Sequence, residues 1–67
     1  MTEIWIEVSF NEQPMDNVIA NSEKEASEII KTIEKLGFSE YNEEVKNDWL
    51  GMGFENNPKV TAKIYRR

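Results

Sequence analysis

The last third of the chain alternates. Trp49-Leu50-Gly51-Met52-Gly53-Phe54 and Val60-Thr61-Ala62-Lys63-Ile64-Tyr65 each place apolar residues at every second position, and Glu55-Asn56-Asn57-Pro58 between them has turn composition. The pattern predicts a β-hairpin. Side chains alternate across a strand, so Leu50, Met52, Phe54, Val60, Ala62 and Ile64 would share a core face. Trp49, Gly51, Gly53, Thr61, Lys63 and Tyr65 would share the opposite one, half aromatic and half bare backbone.

Residues 3–10 carry the same period. Ile4, Ile6, Val8 and Phe10 fall on one side, with Trp5, Glu7 and Ser9 on the other, in a run rich in β-branched and aromatic residues. Asn11-Glu12-Gln13-Pro14 reads as the end of that strand, because proline removes a ladder donor and restricts the residue before it. Met15-Asp16-Asn17 continues the turn, and Val18-Ile19-Ala20 fits a short second strand.

A helix follows. Ser22 is placed to cap it, with Glu25 three residues on completing a capping box and Asn21 as an alternative cap. Ala26, Ile29, Ile30, Ile33 and Leu36 recur at spacings of three and four and make one apolar stripe. Gly37 is the expected stop, as a left-handed residue just past the helix, and Phe38 would tuck under the last turn. Residues 39–48 admit two readings. A polar strand would put Tyr41, Glu43 and Val45 on one side; a helical turn would line up Tyr41, Val45 and Trp49 at a spacing of four. The strand is preferred because it lets the chain return along the sheet. The expected architecture is a single small α+β domain over residues 1–67, an antiparallel sheet of three to four strands with one helix packed on one face.

Composition narrows the chemistry. A chain of 67 residues buries only about 60% of its unfolded surface, and with no Cys and no His it has neither a disulfide nor an imidazole or thiolate metal site to staple it. Self-association or good packing is what remains. Nucleophilic triads built on His or Cys are excluded. Glu43, Glu44 and Asp48 are near one another, but a polar run offers little of the desolvation that acid–base catalysis needs and lacks the order of a calcium loop. Gly51-x-Gly53 lacks the third glycine and following helix of a dinucleotide fingerprint. The expectation is a protein with no enzymatic activity, no cofactor and no metal. An acid near the start and no long apolar run argue for a cytoplasmic chain without a membrane segment.

Charge is unevenly spread. Residues 1–57 hold all 13 acids and four lysines, a net −9, while residues 58–67 hold Lys59, Lys63, Arg66 and Arg67 and no acid. An acidic body disfavours nucleic acid and favours a basic protein surface. Trp5, Trp49 and Tyr65 on an open sheet face would anchor such a partner, with Glu7, Lys63, Glu40, Glu43 and Glu44 as charged contacts. A small acidic inhibitor of a nucleic-acid-handling protein, of the accessory type carried by phages and mobile elements, would have this profile. The alternatives are a structural homodimer and a weak single-strand binder using the basic end.

Overall fold

The computed structural model describes residues 3–66; Arg67 and the side chain of Arg66, both part of the basic end, lie outside the described residues. The element order is β1 (Ile4–Phe10), β2 (Gln13–Ala20), α1 (Glu23–Glu40), α2 (Glu43–Gly51) and β3 (Val60–Arg66). The sheet is antiparallel with order β2-β1-β3, so the first strand is central and the last is an edge. Both helices pack on one side of it. Ile6, Val8 and Phe10 are fully buried between the layers, joined by Ala20, Ala26, Ile33, Phe38, Trp49 and Val60.

β1 turns into β2 through Asn11 and Glu12 alone, both at positive φ (50° and 68°). Two such residues match the right-handed twist of the flanking strands, and asparagine suits the position better than glutamate. Asn11 also holds the turn to a distant part of the chain. Its N–H donates to the Lys59 carbonyl (2.9 Å), its Oδ1 accepts from the Lys59 N–H (2.8 Å), and its amide donates to Glu55 Oε1 (2.7 Å). The expected turn at residues 11–17 is therefore shorter: Pro14, Met15, Asp16 and Asn17 lie inside β2, which is longer than the expected Val18–Ala20. Pro14 pairs with Ser9 on an edge strand, where the missing donor faces away from the ladder. Val8 then pairs with Asp16, leaving Met15 as a bulge.

α1 begins at the expected cap, although the Glu25 carboxylate reaches the Asn21 N–H (3.4 Å) rather than that of Ser22. Ser22 Oγ accepts from the Glu25 N–H at 3.1 Å. Gly37 breaks the helix, but with φ 64° and ψ −166° rather than as a left-handed cap. That region is open essentially to glycine alone. A further turn, counted within α1, runs to Glu40 and carries Phe38 into the core, while Leu36 at the break remains exposed.

The strand reading of residues 39–48 and the predicted terminal hairpin are both overturned. Asn42 Oδ1 accepts from the N–H groups of Glu44 (2.9 Å) and Val45 (3.2 Å), which opens α2 and gives the fold a second helix. Tyr41, Val45 and Trp49 then face the sheet at a spacing of four. Leu50, Met52 and Phe54, expected in the core, are exposed, because alternation along a helix and its trailing loop does not select one side. Only Val60–Arg66 of the hairpin is strand, and there the faces are as expected, with Val60, Ala62 and Ile64 toward the helices.

The Tyr41 hydroxyl donates to Asp16 Oδ2 at 2.8 Å from a partly buried position. Burial first, and then the Asp16 bond and charge, push its pKa well above the ordinary value of about 10. The folded state holds this proton more tightly than the unfolded chain, so the associated stability is complete below about pH 10 and is lost as pH rises beyond it. Denaturant titrations of Tyr41→Phe against the parent should show a flatter alkaline decline in the variant. Gly37→Ala meets no neighbouring atom within 4 Å, so its cost is conformational alone, about 1–3 kcal/mol by urea denaturation.

Candidate interaction surface

Among the described residues the helices lie on one side of the sheet only, and its other face is open. Cross-strand register arranges that face in rows. The first is Ile19–Trp5–Tyr65, the second Asn17–Glu7–Lys63, the third Pro14–Ser9–Thr61. β1 supplies the middle of each row because it is the central strand.

The first row is apolar. Trp5 and Tyr65 stack with centroids 6.4 Å apart and planes 23° from parallel. The Trp5 indole N–H donates to Glu3 Oε2 (2.7 Å), and the Tyr65 hydroxyl donates to Asn17 Oδ1 (2.6 Å). Since Tyr65 is on β3 and Asn17 on β2, this bond crosses the central strand and straps the two edge strands together. The rings are held half-buried rather than free to swing. Ile19, at the end of the row, is 56% exposed. Two shallow depressions adjoin on the same face. One of about 320 Å³ is lined by Asn11, Glu12, Lys59 and Thr61; the other, of about 310 Å³, is lined by Glu7, Ser9, Glu12, Thr61 and Lys63.

Of the eight residues expected to bind a partner, Trp5, Glu7, Lys63 and Tyr65 do come together on this face. Trp49 does not. It is 2% exposed, packs edge to face on Phe10 (5.5 Å, 87°) and flat on Phe54 (4.4 Å, 25°), and donates its indole N–H to the Glu55 carbonyl at 2.7 Å. Its placement follows from α2, which turned a supposed outward strand position into the inward stripe. Glu40, Glu43 and Glu44 are also separated from the rings. They are exposed at the junction of α1 and α2, in the helix layer, with Lys46 3.8 Å from Glu43. Ile19 and Asn17 were missed. Ile19 comes opposite Trp5 through the two-residue turn at Asn11 and Glu12 and the bulge at Met15, which strand alternation alone does not announce.

Among the described residues no group of three acids, histidines or cysteines is arranged to hold a metal, and no helix is long and apolar enough to cross a membrane. The chain matches no protein-family model, no curated protein and no solved structure.

Because Ile19 faces solvent and Trp49 does not, their substitutions should part company. Ile19→Thr keeps a β-branched side chain on an exposed site and should stay within about 0.5 kcal/mol of the parent. Trp49→Ala should cost about 3–5 kcal/mol and leave little folded protein at 25 °C. Circular dichroism through a urea titration measures both.

Proposed function

We propose that the protein is a non-enzymatic protein–protein interaction module that acts by occupying a surface of its partner. The observation that carries this reading is the apolar row Ile19–Trp5–Tyr65 on a sheet face that no other layer covers. Aromatic rings fixed by their own hydrogen bonds lose little freedom on docking, and such residues dominate binding energy at interfaces. Glu7 and Lys63 beside them would form a polar rim that sets orientation.

The acids of the helix layer have a different part in this proposal. Glu40, Glu43 and Glu44 lie on the far side of the sheet from the rings, so they steer approach rather than make the contact. With a net charge of −5, the body favours a partner with a basic surface. A nucleic-acid-handling protein has such a surface, and covering it would inhibit it. A single nucleic-acid strand laid along the rings would meet Glu3 at Trp5 and Glu7 in the next row, which favours protein over nucleic acid as the occupant.

A photo-crosslinking residue in place of Ile19, with one in place of exposed Ser27 on α1 as the control, tests the reading in cells. Adducts with basic proteins are expected at position 19, weakened by Trp5→Ala and lacking at position 27. Equal adducts at both positions, or none at 19, would count against it.

A further inference from the structure

The two edges of the sheet are not equivalent. The Asn11 N–H bonds the Lys59 carbonyl in the same register that pairs β1 with β3. In an antiparallel ladder directly bonded pairs alternate with unbonded ones. The odd-numbered residues of β1 therefore point their N–H and C=O groups at β3, and the even-numbered ones at β2. The two-residue turn requires the same parity, since Phe10 and Gln13 flank it as a bonded pair. On β3, then, Val60, Ala62 and Ile64 direct their backbone groups away from the sheet. Among the described residues no backbone hydrogen bond reaches these three from outside the sheet. α1 packs over the face of β3.

The β2 edge is blunted by Pro14 and by the bulge at Met15, both devices that prevent strands from adding to an edge. β3 carries neither. We infer that β3 is a self-association edge, and that a second copy of this chain adds to it antiparallel across a two-fold axis at Ala62, making one continuous six-stranded sheet.

The register follows from charge and polarity. A two-fold axis at Lys63 would set the two Lys63 side chains opposite each other, and one at Thr61 would set Lys59 opposite Lys63. An axis at Ile64 would pair Ala62 with the last position of β3 and leave Val60 and Thr61 outside the strand pair. The axis at Ala62 avoids all three. It pairs Val60 with Ile64 and Ala62 with Ala62 on the helix side, and Lys63 with Thr61 on the open side. Lys59 then lies opposite Tyr65, where an ammonium beside an aromatic ring is favourable. Opposed like charges destabilise a strand pair, so the lysines select this register instead of forbidding the edge. A contact confined to one strand belongs to the small, weak class of interfaces. The association is therefore a concentration-dependent equilibrium, and it leaves the open faces of both copies available on one side.

Sedimentation equilibrium over a wide concentration range tests this. The weight-average mass should climb from 7.9 kDa toward twice that value. Thr61→Glu, placed opposite Lys63 of the second copy, should tighten the dimer by roughly threefold to tenfold, and Thr61→Lys should weaken it by a similar factor. Ala62→Pro removes an outward N–H that no strand within the monomer uses and should leave a folded monomer; if it does not fold, the Thr61 pair decides. A monomer at every concentration overturns the inference. So do Thr61 variants that shift the equilibrium in the same direction, or a dimer that survives Ala62→Pro and is lost with Ile19→Thr. Loss of the dimer with Ile19→Thr would place self-association on the open face; the other results leave that face untouched, and the crosslink at position 19 reads its binding to another protein separately.

Discussion

Phe10 is the side chain on which the two layers meet. It is fully buried at the end of the central strand, and three rings approach it edge to face: Phe38 at 5.3 Å, Trp49 at 5.5 Å and Tyr41 at 5.9 Å. Each of these comes from a different piece of the helix layer: the turn after the Gly37 break, α2, and the junction between them. Edge-to-face rings add about 0.5–1.5 kcal/mol per pair beyond the area they bury. In a chain of this size that geometry fixes where both helices sit. Trp49 extends the cluster outward by stacking on Phe54 and bonding the Glu55 carbonyl, so the loop before β3 is anchored to the same centre.

The parts of the fold that were legible from residues are those where one local signal had no competitor. Residues 4–10 alternate with no glycine or proline, and they form β1 with the expected faces. Ser22 with Glu25 marks the start of α1. Gly37 marks its break, though the conformation adopted there is one that no capping rule names. The parts misread are those where two periods overlap. Residues 49–54 alternate, but Tyr41, Val45 and Trp49 are also spaced as a helix face, and the helix won because Asn42 caps it and Phe10 receives Trp49. Alternation of Leu50, Met52 and Phe54 with two glycines was a coincidence of composition. The length of β2 was hidden by Pro14, whose edge position depends on strand order, and strand order is not a local property.

The same distinction governs the candidate surface. Trp5, Glu7, Lys63 and Tyr65 belong to strands whose alternation was read correctly, so they arrived on one face together. Trp49 and the acids of residues 40–44 belong to the misread segment. Their relocation changes the physical picture from one mixed patch to two separate surfaces, one aromatic and nearly neutral, the other acidic and spread over helices. A partner that touches the first experiences the second only through its field, which salt screens over about 10 Å at 0.1 M. The Tyr65–Asn17 strap keeps the aromatic surface in one shape by joining strands that do not otherwise meet.

The strand order has a consequence for how the molecule is made. β1 is the central strand and is synthesised first of the three, yet one of its two neighbours, β3, is synthesised last. While the chain is being translated, β1 and β2 can close their hairpin, but the other edge of β1 stays unsatisfied until some fifty more residues have left the ribosome. The bonds from Asn11 to Glu55 and Lys59 cannot form before then either. Pairings this distant in sequence carry a loop-closure cost before they return any contact. The nascent protein thus spends most of its synthesis with half of its central strand open, and its sheet is completed only when β3 emerges.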